Sequence, residues 1–212
     1  EEIIKLVLRQ VEVNQLIIID DASTDRSLEI IEGLQKTFEF DFIRHEKNLG
    51  KGACINTAIS AIKNPIVVIQ DADLEYDPNY YGRLIKPILD NRADVVYGSR
   101  FQTGEERRVL YFWHSVGNRF LTLISNAFTN INLTDMETCF KMMRTNYLKE
   151  IKLCEKRFGV EPEITAKLAK RGARFFEVSI SYNGRTYEEG KKIRAKDGIR
   201  AIYCIIKYGF FS

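Results

Sequence analysis

The sequence lacks any apolar run near the roughly 18–20 residues that a bilayer-crossing helix requires, so no segment reads as a transmembrane span. Cysteine is sparse. The four present (Cys54, Cys139, Cys154 and Cys204) form no CxxC pair, and each sits among apolar neighbours. They read as buried thiols in a reducing compartment. Two histidines, His45 and His114, are too few for a His-based zinc centre. Net charge is only +3, too small for wholesale nucleic-acid binding. Repeats, low-complexity tracts and Pro/Gly-rich linkers are absent, so a single domain over residues 1–212 is the expectation. What is present is 45% apolar and 29% charged residues, a balance and a length able to bury a core without disulfides or structural metals. The charge is uneven: between Arg185 and Lys207, seven basic residues face only Glu188, Glu189 and Asp197.

Strand-like and helix-like segments alternate through the first half. Leu16–Ile19 is a β-branched run that reads as a buried strand ending in Asp20-Asp21. Ser23 and Thr24 offer N-caps for a helix to about Gln35. Phe40–Arg44 reads as a strand, Gly50–Ile62 as a helix, and Ile66–Ile69, launched by Asn64-Pro65, as a third strand ending in Gln70-Asp71. A helix over Tyr80–Leu89 and a strand over Ala93–Tyr97 follow. The alternation predicts an α/β fold with a mostly parallel central sheet and helices on both faces. Further on, helices are expected over Leu110–Phe128, Glu161–Lys170 and Gly198–Tyr208, with strands at Phe140–Arg144 and Arg174–Ser179. Glu1–Val11 reads as a helix where such a sheet normally opens with a strand, and the expectation is that an opening strand and its loop lie outside this sequence.

Ligands of open α/β sheets bind at the carboxyl ends of strands. Two strands here end in acids, Asp20-Asp21 and Asp71-Ala72-Asp73. Side chains two apart in an extended segment point the same way, so Asp71 and Asp73 can address one hard divalent cation. A single carboxylate pair suits a metal that arrives with a diphosphate. An EF-hand reading fails, because Tyr76 stands where the loop needs Gly and Gly82 where it needs the bidentate Glu. Leu49-Gly50-Lys51-Gly52 has some likeness to a phosphate loop, but no Gly-Lys-Ser/Thr completes it.

In order along the chain come Ile18-Ile19-Asp20-Asp21-Ala22-Ser23-Thr24-Asp25, His45-Glu46-Lys47-Asn48-Leu49-Gly50-Lys51-Gly52 and Gln70-Asp71-Ala72-Asp73-Leu74-Glu75. This succession resembles the signatures of family 2 glycosyltransferases. Gly98-Ser99-Arg100-Phe101, Asp135-Met136-Glu137-Thr138-Cys139-Phe140-Lys141 and the block from Tyr182 to Lys192 narrow the likeness. They resemble the branch of dolichyl-phosphate mannose synthases and bacterial polyprenyl-phosphate glycosyltransferases. The family's opening strand and its Pro-x-Tyr-Asn-Glu loop have no counterpart here.

The resemblance implies a glycosyltransferase A-type fold and an inverting transfer of a hexose from a GDP-mannose- or UDP-glucose-type donor to polyprenyl phosphate. Asp21, with Asp20 beside it, matches the nucleoside contact. Asp71 and Asp73 match the pair that binds Mg²⁺ or Mn²⁺, with Glu75 where some relatives add a ligand; Asp73 also counts as catalytic. Gly50 allows close backbone packing near the nucleotide, and Lys51 is a phosphate contact. Arg100 matches an arginine that holds the acceptor phosphate, with Arg107 or Arg108 as a second. Asp135 matches a carboxylate important to activity, beside the sugar or metal. Arg185 and Lys191, with Lys192 nearby, match a basic loop that closes over the diphosphate. A lipid acceptor implies a peripheral location at the inner, cytoplasmic face of the membrane. Residues 195–212 and the helix near Trp113–Phe128 are the candidate membrane-surface helices. Two rival readings are a family 2 enzyme using a sugar or glycolipid hydroxyl, and a sugar-nucleotide-binding protein without catalysis.

Overall fold

The computed structural model describes residues 1–102, 104, 106, 108–109, 111–185, 188 and 195–210, without the side chains of Ala195 and Lys196. The order is α1 (Glu2–Leu8), β1 (Ile17–Asp20), α2 (Ser27–Gln35), β2 (Asp41–Arg44), α3 (Lys51–Ile59) and β3 (Ile66–Ile69). A 3₁₀ turn over Pro78–Tyr80 leads into α4 (Tyr81–Leu89), then β4 (Val95–Ser99), α5 (Phe112–Thr129) and β5 (Lys141–Arg144). The chain ends with α6 (Thr145–Glu150), α7 (Val160–Lys170), β6 (Phe175–Ser179) and α8 (Ala195–Phe210). The α/β class read from the alternation holds. Short α6 has no counterpart in that reading, since six residues give too little of a 3.6-residue period to see.

β1 and β2 pair in parallel; a second sheet runs β3-β5-β4-β6. β4 and β6 are parallel, whereas β5 runs antiparallel to both β3 and β4. This reversal matters for the site. Lys141, the first residue of β5, lies opposite Ile69 at the end of β3 and opposite Tyr97 near the end of β4. The segment Asp135–Phe140 before β5 therefore reaches the same sheet edge as Gln70–Asp73 and Ser99-Arg100.

β4 is buried throughout, and its period-2 alternation splits the core. Val95 and Tyr97 join Met143, Ile164 and Leu168 on one face, while Val96 joins Met142, Phe140, Leu84 and Ile88 on the other. α8 packs Ala201, Cys204, Ile205 and Tyr208 inward, and its Phe210 ring meets Phe128 of α5 edge-on at 4.7 Å. The outer faces of these two helices stay apolar: Phe112, Trp113, Phe120 and Leu123 on α5 and Ile199, Tyr203 and Phe210 on α8 are at least half exposed. No helix among the described residues is long and apolar enough to cross a membrane.

A cavity of about 570 Å³ separates β1 from β3. All of β1, Ile66–Val68 of β3, and Ile3 and Val7 of α1 line it. Among the described residues β1 pairs only with β2 and β3 only with β5, so each has an edge without a ladder partner. A strand seated there and continuing into α1 would lie beside β1 with the usual right-handed crossover. We expect a Val/Ile-rich extension of about 15–20 residues ahead of Glu1, enough for a strand, loop and helix start, to fill the slot. Against a Gly/Ser extension of equal length it should raise Tm by several degrees, each kcal/mol being worth about 2–4 °C in a domain this size. Equal thermal unfolding of the two extended proteins would show that the slot accepts no strand.

Candidate active site at the carboxyl edge of the sheet

β1 delivers Asp20 and Asp21 to this edge, and the two do different work. Asp20 is buried; its Oδ1 accepts the Ser23 N–H at 3.1 Å, closing the turn in which Ala22 takes a φ of 57°. Asp21 pins the loop before α3. Its Oδ1 accepts from His45 Nδ1 (2.7 Å) and the Leu49 N–H (2.9 Å), and its Oδ2 from the Gly50 N–H (2.7 Å). Because an ionised carboxylate only accepts, Nδ1 of His45 carries the proton, and Nε2 faces Thr57 Oγ1 at 2.9 Å. Burial pushes the Asp21 carboxyl up, but His45 and the two backbone donors outweigh it and hold it below its ordinary value.

The glycines at the start of α3 lie against the backbone of Glu155 and Lys156. Gly50 has φ +95°, and a Cβ there would sit 2.3 Å from the Lys156 carbonyl oxygen. At Gly52 a Cβ would fall 1.9 Å from that of Glu155, while its N–H donates to Lys156 at 2.9 Å. Both therefore let the loop before α7 close against α3. That approach brings Glu161 of α7 to Lys51: the Nζ of this half-buried side chain lies 3.0 Å from Glu161 Oε1 and 2.9 Å from Asp71 Oδ1. Burial works against the ammonium, yet the nearby Cys139, Glu161 and Asp71 more than compensate and raise its pKa well above the usual lysine value.

Beyond β3, Asp71, Asp73 and Glu75 occupy one loop. Arg185 bridges the last two, with Nη2 2.6 Å from Asp73 Oδ2 and Nε 2.8 Å from Glu75 Oε1. Tyr182 donates its hydroxyl to Glu75 Oε2 at 2.9 Å. The three acids titrate apart. Burial, then Glu75 and Asp71, raise Asp73; burial also opposes ionisation of Asp71 and Glu75, but Lys51 and Arg185 respectively bring them below their ordinary values. All available donors are carboxylate oxygens, the set that hard Mg²⁺ or Mn²⁺ prefers.

Arg100 and Asp135 form the most enclosed ion pair of the site. Nε and Nη2 of Arg100 each donate at 2.7 Å to one oxygen of Asp135, and the Arg100 backbone N–H adds a third bond at 3.0 Å. Asp135 is fully buried and Arg100 only 5% exposed. Glu177 of β6 accepts the backbone N–H groups of Thr134 and Asp135, fixing the loop that carries the acid. The Arg100 guanidinium stacks 5.1 Å above the Tyr182 ring. Tyr182 thus joins the Arg100–Asp135 pair to Glu75 and Arg185. Arg108 donates from Nη1 to the Gly184 carbonyl and from its backbone N–H to that of Tyr182.

The structure therefore gathers Lys51, Asp71, Asp73, Glu75, Arg100, Asp135 and Arg185 along one edge, with Asp20 and Asp21 at the end of β1. Lys191, Lys192 and Arg107 lie outside the described residues. Sequence reasoning missed Tyr182, Glu161 and Glu177. Tyr182 stood inside a quoted motif, whereas an acid in the first turn of a helix, such as Glu161, gives no sign of facing inward.

A mixed α/β fold that collects carboxylates and basic side chains at its strand ends presents them where open α/β sheets bind their ligands. The family model "Glycosyl transferase family 2" matches residues 1–152, and the chain belongs to that family. It is similar to an uncharacterized protein of Methanocaldococcus jannaschii, 30% identical over 88% of this chain and 87% of that protein. A UDP-N-acetylglucosamine–dolichyl-phosphate N-acetylglucosaminyltransferase of Methanococcus voltae is 23% identical over 97% of this chain and 90% of its own length. Among solved structures, glucosyl-3-phosphoglycerate synthase from Mycobacterium tuberculosis, in complex with Mn²⁺, UDP-glucose and phosphoglyceric acid, superposes with a TM-score of 0.72. The identity is 17%, over 98% of this chain and 73% of that one, so this likeness is one of fold: the glycosyltransferase A-type fold.

Proposed function

We propose that this family 2 glycosyltransferase transfers a hexose, with inversion, from a nucleotide diphosphate sugar to polyprenyl phosphate with the help of Mg²⁺ or Mn²⁺. The observation that carries the reading is the convergence of Asp71, Asp73 and Glu75 on one loop next to the buried Arg100–Asp135 pair. Asp71, Asp73 and Glu75 are the residues that would hold the ion. When bound, the ion supplies Lewis-acid neutralisation of the departing diphosphate. Arg185 and Lys51 are placed to receive the negative charge that develops there, and Asp135 keeps Arg100 oriented. A polyprenyl phosphate is already anionic at neutral pH and needs no strong base, so the chain's task is positioning and charge stabilisation.

The lipid acceptor is supported by the name of the Methanococcus voltae relative and by the exposed face of α5 and α8. Trp113, Tyr111 and Tyr203 suit the headgroup level, with Arg200 stacked on the Tyr203 ring to meet anionic lipid, so the protein binds peripherally at the inner membrane face. The acceptor in the Mycobacterium tuberculosis complex is a small phosphate-bearing acid, which supports a second reading with a soluble acceptor. One screen tests both: GDP- and UDP-sugars are offered with short-chain polyprenyl phosphate and the products examined by mass spectrometry. A hexosyl-phosphoryl lipid is the expected product. Sugar transferred only to soluble acceptors would overturn the lipid assignment.

A further inference from the structure

Every oxygen of the three acids assigned to the metal already has a partner within the chain. Lys51 Nζ contacts both oxygens of Asp71, at 2.9 and 3.2 Å. Asp73 accepts from the Glu75 N–H at 3.1 Å and from Arg185 at 2.6 Å. Glu75 accepts the Arg185 side chain and backbone on one oxygen and the Tyr182 hydroxyl on the other. A bare divalent ion entering here would have to displace a lysine and an arginine from these carboxylates.

We propose that Arg185 and Lys51 stand in for the metal in the ion-free protein, so that the ion enters only together with a nucleoside diphosphate that takes over the two cations. The inference rests on the metal-dependent reading above. A diphosphate brings the negative charge that restores balance, and guanidinium pairs with phosphate as readily as with carboxylate. Each cation has somewhere to go. The Arg185 side chain is 37% exposed, at the end of the described segment that follows β6, and can turn from carboxylate to phosphate. Lys51 is more enclosed, but Glu161 already holds it on one oxygen, and Glu161 Oε2 is buried with no hydrogen-bond partner. That second oxygen offers the ammonium a seat when it releases Asp71. The consequence is reciprocal coupling: nucleotide tightens metal, and metal tightens nucleotide.

The test is an Mn²⁺ titration followed by electron paramagnetic resonance of the free ion, on the wild type, Arg185→Gln and Lys51→Gln. Each protein is titrated without nucleotide and with saturating UDP or GDP, after circular dichroism and thermal unfolding establish that it is folded. Without nucleotide, Arg185→Gln should bind Mn²⁺ on the order of tenfold more tightly than the wild type, within the usual range of coupled sites. Lys51→Gln should shift the same way. With nucleotide the order should reverse, because glutamine cannot neutralise a phosphate. Should both variants bind the ion alone no better than the wild type, while nucleotide-dependent Mn²⁺ binding persists, the stand-in role is overturned and the metal reading survives. Absence of Mn²⁺ binding by the wild type with either nucleotide would overturn both.

Discussion

Asp135→Leu should lower the unfolding free energy by about 3–5 kcal/mol, the usual cost of leaving one member of a buried ion pair without its partner. Arg100 would keep its charge in a site that excludes water, with the bidentate acceptor gone. Against the 5–15 kcal/mol that stabilises a typical domain, such a loss moves the urea midpoint far. Replacing both partners, as Arg100→Met with Asp135→Leu, should restore most of the stability, since a well-packed apolar pair is often as stable as a buried ionic one. The double variant should nevertheless fail to transfer sugar. Equilibrium urea unfolding of the wild type, both single variants and the double variant separates the two effects. A single variant within about 1 kcal/mol of the wild type would mean the pair does not hold this edge together.

Asp71→Asn and Asp73→Asn should each reduce turnover by roughly three decades. Lewis-acid stabilisation of a departing diphosphate is worth several kcal/mol, and each 1.36 kcal/mol is a factor of ten. Folding should be largely kept, because both side chains are partly open to solvent. The check compares initial rates with Mn²⁺ and then with chelator. Wild-type rates that fall with chelator, beside variant rates that are already low and unchanged, are the expected pattern. Full metal-dependent turnover in either variant would remove that acid from the site.

Much of the fold was legible because β-branched runs and 3.6-residue spacing report burial directly. Ile66–Ile69 was read to the residue, and most other elements within a few residues of their ends. The direction of β5 was not legible, since Lys141–Arg144 has the same apolar content whichever way it runs. The acids at the strand ends announced themselves by position. Arg100 shows the limit: the motif marked it as important, but only the fold reveals that its guanidinium is enclosed against Asp135. Lys141 makes the same point. Its ammonium is buried 3.9 Å from the Tyr97 ring centroid and donates to the Met136 carbonyl at 2.6 Å, and burial pulls its pKa down to about 8. Nothing in a strand pattern distinguishes such a lysine from a solvated one.

The position of β4 between β5 and β6 also sets when the protein can become competent. Both partners of this central strand are synthesised long after it, and the carboxyl edge draws on segments from Asp20 to Arg185. Pairing over such sequence separations carries a loop-closure cost before any contact compensates it, so folding should be slow relative to a chain of local hairpins. An emerging chain can form α1 to β3 with their acids in place, yet it has neither the β5 that puts Asp135 beside Arg100 nor the arm that brings Arg185 to Asp73. Ligand affinity is thus a property of the finished chain alone, and nucleotide would act as a stabiliser of the last state reached, not as a guide along the way.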